Sequence, residues 1–156
     1  MTDLYSDASH EFSPQKQSVA LLLAIFLGQL GAHRFYTGKT GSGIAMLFTF
    51  GGCGIWSLID TVVIATGGFV DGDGRKLNME LPPAGEPVSD KKFAVTFLLA
   101  MFLGGFGMHH FYMGKTGLGI LSLFTLGGCG LWTLVDIILL ATGGLKDANG
   151  LPLCKT

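Results

Sequence analysis

Charge is what this sequence has least of. Only 13% of its 156 residues are Asp, Glu, Lys or Arg, about half the share of an ordinary soluble domain. None falls between Val19 and Ala32, and only Asp136 falls between Gly117 and Thr142. Apolar residues therefore come in blocks, not at the one-sided spacing of a helix that faces water. Blocks of this kind are solvated by lipid.

Other absences narrow the reading further. With 10 Lys and Arg against 11 Asp and Glu the net charge is −1, and the basic residues sit at the ends of apolar blocks, so no stripe exists to grip nucleic acid. The three cysteines cannot all pair with one another. Cys53 and Cys129 lie inside apolar segments and Cys154 near the end, a pattern of reduced thiols and not of a disulfide framework. The opening residues carry Asp3, Asp7 and Glu11, no basic n-region and no small-residue cleavage site after the apolar run. The first apolar segment is therefore expected to remain as an anchor. No Gly-rich phosphate loop, nucleophile elbow or zinc-hydrolase helix is present, so the chain is not expected to be an enzyme or to carry a cofactor.

What the sequence does have is a repeat. A shift of 76 positions lays residues 13–74 over 89–150 without a gap, with about 35 of 62 pairs identical. The expected organisation is a polar tail (1–12), a first unit (13–74), a Pro-containing polar linker (75–88), a second unit (89–150) and a short tail (151–156).

Each copy reads alike. Ser13 with Pro14, or Ser89 with Asp90, suits a helix start. A first helix would run to about Gly31 or Gly107, roughly 18 residues and 27 Å, close to the thickness of a bilayer core. A second would run from about Thr40 to Thr66, or Thr116 to Thr142, broken at "TFGGCG" or "TLGGCG". Whether the stretch just before each break, 40–50 or 116–126, spans or lies at the interface sets the depth of Asp60 and its counterpart Asp136. The expected fold is an all-α membrane protein of four transmembrane helices, arranged as two duplicated parallel hairpins. Lys and Arg counting places the termini and linker in the cytoplasm, and Arg34, Lys39 and Lys115 across the membrane from them. The partners expected are the bilayer and other membrane proteins or a second copy of the chain.

Several residues stand out. Ala20, Ala24, Gly28 and Ala32, matched by Thr96, Ala100 and Gly104, recur at every fourth position and make a helix-packing face, within the fold or between chains. Asp60 and Asp136 are carboxylates inside apolar helices, at a cost on the order of 3 kcal/mol if central. They are read either as an ion or proton site or as structural groups paired with Lys16 or Lys92 or bonded to a helix end, and the structural reading is favoured. His33, His109 and His110 with Cys53, Cys129, Asp60 and Asp136 offer zinc-type ligands. No ligand spacing fits, however, and two hairpins would put the His turns across the membrane from the aspartates. No metal is therefore expected. These His, with Arg34, Tyr36 and Tyr112, are read as interfacial anchors of a turn motif that also holds Phe35 and Phe111, and Trp56 and Trp132 as packing or belt residues. "DGDGR" (71–75) lacks a calcium loop's later glutamate and reads as a tight turn.

The segments "GAHRFYTGKTGSGI" and "TFGGCGIWSLID", repeated as "GMHHFYMGKTGLGI" and "TLGGCGLWTLVD", resemble the TM-2 (TM2) domain, a two-transmembrane-helix module. The resemblance covers nearly the whole chain apart from tail and linker. It implies helix pairs joined by a turn that carries an acidic-or-His, Arg, Phe motif, here His33, Arg34 and Phe35, and it implies no reaction. His110 replaces the Arg in the second copy, so a role that needs a fixed charge there belongs to the first copy alone. The functional expectation is a membrane interaction or scaffold module. The alternative is a small channel or ion-coupled transporter that uses Asp60 and Asp136.

Overall fold

The computed structural model describes residues 12–79 and 86–155, except the side chains of 127–129. Residues 1–11, linker residues 80–85 and Thr156 lie outside the described residues. The chain divides into two units between Glu80 and Leu81.

In the first unit, strand β1 (Phe12–Lys16) leads into helix α1 (Gln17–Leu27). One 3-10 turn, Gly28–Leu30, closes on Gly31 in the left-handed region, and a short helix α2 (Ala32–Tyr36) follows. Helix α3 (Thr40–Phe48) and helix α4 (Ile55–Ala65) make the second apolar segment. Strand β2 (Lys76–Asn78) then pairs in parallel with β1, Phe12 opposite Lys76 and Lys16 opposite Asn78. Strand β2 therefore belongs to the first unit and not to the linker.

The second unit repeats this plan with helices α5 (Phe93–Leu103), α6 (Met108–Tyr112), α7 (Thr116–Cys129) and α8 (Leu131–Ala141), and a 3-10 turn at Gly104–Phe106. A parallel bridge between Lys92 and Cys154 stands where β1 pairs with β2. The C-terminal residues to Cys154 are thus part of that unit.

The first helices differ from expectation at both ends. Ser13 lies in a strand and Lys16 is the N-cap, with no side-chain cap of its own. The Lys16 backbone N–H donates instead to the Tyr36 hydroxyl at 3.1 Å, and that of Lys92 to Tyr112 at 3.2 Å. At the far end α1 stops at Leu27 because the chain tightens at Gly28 and reverses at Gly31 (φ +70°). Eleven α-helical residues span about 16 Å, and the 3-10 turn adds about 6 Å. No helix among the described residues is long and apolar enough to cross a membrane.

The Gly-Gly break has a specific form. Phe50, Gly51, Gly52 and Cys53 have φ of 49°, 67°, 59° and 58°, so the backbone makes about one turn of left-handed conformation between α3 and α4. Two glycines adopt it freely, whereas an L-residue there costs about 1–2 kcal/mol. Leu126, at φ 49°, occupies the position of Phe50 in the second unit.

The small-residue stripe packs inside each unit. Ala20, Ala24 and Gly28 are buried, and a Cβ at Gly28 would overlap the Ser57 side chain on α4. In the second unit Thr96, Ala100 and Gly104 are buried, with Thr133 on α8 against Gly104. Ala32 is half-buried and falls off the stripe, because the reversal at Gly31 separates it from α1. Met46, Ile64, Phe69 and Leu77 complete the first core; Phe97, Met113, Leu140 and Leu153 complete the second.

Candidate functional site

The reversal at Gly31 brings the His-Arg-Phe-Tyr turn back along α1. Thr37 O accepts from the Gly72 backbone N–H at 2.8 Å, and Met113 O accepts from Ala148 at 3.0 Å. Lys39 lies over the Phe69 ring, 4.7 Å from its centroid. Each turn therefore sits beside the strand end of its own unit. The sequence had placed the turns at the opposite end from the termini, on the premise that each apolar segment is one long helix. The chain reverses instead at Gly28–Gly31 and Phe50–Gly54, which meet each other: a Cβ at Gly51 would stand 3.0 Å from Gln29 Cα.

That return carries His33 and Arg34 to Asp60. Arg34 Nε donates to Asp60 Oδ2 at 2.6 Å and Nη2 to Oδ1 at 2.8 Å, a two-point clasp. His33 Nε2 lies 2.8 Å from Oδ2. The guanidinium also stacks over Trp56, 5.1 Å from the ring centroid, so this tryptophan covers a cation. His33 is fully buried and meets Phe69 edge to face at 6.1 Å. Phe35 lies over Gly43, where a Cβ would stand 3.2 Å from the ring, and Phe111 is closer still to Gly119, at 2.8 Å. The turn's aromatics thus pack or bond within the unit.

In the second unit His109 Nε2 and His110 Nε2 each stand 3.1 Å from Asp136 Oδ2. The two rings are 4.1 Å apart at 37°. All three side chains are buried. Both carboxylates thus take their partners from the turn motif, and the inference that separated His from Asp fails. The missed signal was available: Arg34 and Asp60 are opposite charges in apolar surroundings, and such charges seek each other.

Loop carboxylates fasten the other side of the turn. Asp71 Oδ1 accepts from the backbone N–H groups of Asp73 (2.9 Å) and Arg75 (2.8 Å), and Asp147 Oδ1 accepts from Asn149 and Leu151, both at 2.9 Å. Ser89 Oγ donates to Asp147 Oδ2 at 2.7 Å. The Ser89 hydroxyl, together with those N–H groups and the charge of Lys115, holds the Asp147 carboxyl below its usual value against the opposing effect of burial. At Asp71 burial pushes upward most strongly. It is outweighed by the Arg75 N–H, the Ser13 hydroxyl, the Asp73 N–H and the Arg75 charge, so this carboxyl too is lowered. "DGDGR" is a tight turn, as its composition indicates. Neither Cys53 nor Cys154 is in a disulfide; the Cys129 side chain lies outside the described residues.

A duplicated helical unit, with many large apolar side chains exposed and closed by a His-containing turn on a buried carboxylate, defines a class of membrane module. The chain belongs to the TM2 domain family, which it matches at residues 13–62 and 89–138. It is similar to TM2 domain-containing protein 2 of Xenopus tropicalis, 47% identical over 62 residues, which cover 40% of this chain and 31% of that protein. It is also similar to TM2 domain-containing protein 3 of Homo sapiens, 51% identical over 59 residues, 38% of this chain and 24% of that protein. The chain thus spans less than a third of the length of these relatives. No solved structure matches. TM2 domain proteins are membrane proteins, and this chain carries two copies of the domain.

Proposed function

We propose that the protein is an integral membrane interaction or scaffold module, in which each unit buries an apolar end in the bilayer and keeps its strand end at the cytoplasmic face of the cell membrane. The observation that carries this reading is the polarity of each unit. In the first, Lys16, Lys39, Asp71, Asp73, Arg75 and Lys76 gather at the strand end. The opposite end presents Phe48 and Phe50, 83% and 67% exposed, and no charge. Phe124 and Leu126, 84% and 63% exposed, occupy the same places in the second unit. Apolar surface of that size is covered by lipid or by a partner, and cationic ends favour the cytoplasmic side.

The sequence's arrangement of four crossing helices differs from this one in where Thr40 sits. Single-cysteine variants at the exposed positions Thr40 and Asp73, in a cysteine-free background, are treated with a membrane-impermeant thiol reagent on intact cells. One-sided embedding expects both to be protected until the cells are opened. Labelling of Thr40 in intact cells with Asp73 protected establishes the crossing hairpin and overturns the one-sided reading. A photo-crosslinker at Phe48 tests the module itself: adducts with lipid alone, and none with a membrane protein or a second copy, overturn the scaffold role. The channel reading receives less support, since Asp60 is clasped by Arg34 and His33 and Asp136 is faced by two histidines.

A further inference from the structure

The two units differ most in chemistry at one position. Where the first unit sets the Arg34 guanidinium on Asp60, the second sets His110 on Asp136. A buried carboxylate needs a cation or several hydrogen bonds. The first unit supplies a permanent cation from its own chain. The second supplies two imidazoles that converge on the same oxygen.

The geometry of that convergence is a ligand set. His109, His110 and Asp136 each offer one ligand atom, and all three atoms lie within 4.8 Å of one another. The two imidazole nitrogens are 3.1 Å from Oδ2. Tetrahedral zinc with bonds of about 2.0–2.1 Å separates neighbouring ligand atoms by roughly 3.3 Å. His110 Nε2 is buried and stands 3.1 Å from Asp136 Oδ2, within ion-pair distance but without hydrogen-bond geometry to any described residue. Adjacent residues on α6 point about 100° apart, and Asp136 lies where both can reach it. Two nitrogens and one oxygen suit zinc and its neighbours in the transition series, whereas calcium and magnesium take oxygen.

We propose that His109, His110 and Asp136 form a three-ligand site for a divalent transition metal ion of the zinc type, which takes the place that the Arg34 guanidinium holds in the first unit. The ion neutralises Asp136 and joins α6 to α8, as the ion pair joins α2 to α4. This proposal does not depend on how the units sit in the membrane.

The test is cobalt(II) titration of the untagged, chelator-stripped full chain in detergent, with His10 and the three cysteines replaced to remove other donors. A single equivalent with tetrahedral-type visible absorption, displaced by zinc(II), is expected. His110→Arg, whose side chain the first unit shows the site can hold, abolishes the absorption and leaves the helical circular dichroism unchanged. His109→Ala weakens binding by at least ~100-fold, since losing a ligand costs more than losing a ligand's support. Absence of the absorption in the parent protein, or its persistence in His110→Arg, overturns the proposal.

Discussion

The Tyr36 hydroxyl accepts the backbone N–H of Lys16, 20 residues earlier, at 3.1 Å, and so ties the turn motif to the residue that opens α1. The same bond joins Tyr112 to Lys92. A hydroxyl on a neighbouring element thus caps the helix, a task that local sequence assigns to Ser13 or Ser89. Tyr36→Phe removes the acceptor and keeps the ring. Because the bond is exposed, the expected loss is about 0.5–1 kcal/mol, read as a lower denaturation midpoint at unchanged slope. An unchanged midpoint would mean that water replaces the hydroxyl without cost.

Asp60→Asn leaves a half-buried guanidinium and a buried imidazole facing a neutral amide. Breaking such a pair from one side costs about 3–5 kcal/mol, whereas replacing both partners by apolar groups of similar volume is often neutral. Asp60→Asn is therefore expected to unfold the first unit far more readily than the double variant Asp60→Leu with Arg34→Met. In the second unit, metal-free, Asp136→Asn faces no permanent charge and is expected to cost less, about 1–3 kcal/mol. Equal losses for Asp60→Asn and the double variant, in thermal unfolding in detergent, would show that the stranded charge is not what matters.

The duplication, the apolar segments, the Gly-Gly break, the tight turn at Asp71 and the buried status of Asp60 and Asp136 were all legible in the chain. Periodicity and composition report such local features directly. The direction of the turn was not legible. Gly28, Gly31, Gly43, Gly51 and Gly54 occur in a sequence of 25 glycines, and nothing local separates those that let a helix neighbour approach from those that reverse the chain. Once Gly31 was read as the end of a long helix, Arg34 and Asp60 fell on opposite sides of the membrane, and their pairing became invisible. A carboxylate at the matching position of both copies, Asp60 and Asp136, with Arg34 as an opposite charge in the first, was the stronger signal, because a buried charge constrains the fold more than helix length does.

The glycines can be told apart by substitution. Gly31 has φ +70°, and a Cβ there would stand 2.9 Å from the Gly43 carbonyl oxygen. Gly41 lies on the exposed side of α3 with nothing within 4 Å of a Cβ. Gly31→Ala is expected to destabilise by about 1–3 kcal/mol through backbone strain, with the contact adding to it. Gly41→Ala is expected to stabilise by about 0.5–1 kcal/mol by reducing the freedom of the unfolded chain. The pair is compared by melting temperature. A destabilising Gly41→Ala would place an unseen partner against α3.

Asp71 and Asp147 predict how the units respond to acid. Both carboxyls lie below the value of 3.8 that an unperturbed aspartate has. A lowered folded-state value means that the folded chain holds its proton less tightly than the unfolded chain does. The stability each group contributes is therefore complete above about pH 4 and is lost as pH falls through the lower folded value. Asp147→Asn removes the ionised acceptor for Ser89 Oγ and for the N–H groups of Asn149 and Leu151. The melting temperature of the variant should lie below that of the parent by a constant interval from neutral pH down to about pH 5, and the interval should narrow as pH falls below about 4 and through the lowered folded value. An interval that stays constant across that range would show that the loss comes from shape or packing and not from the charge on Asp147.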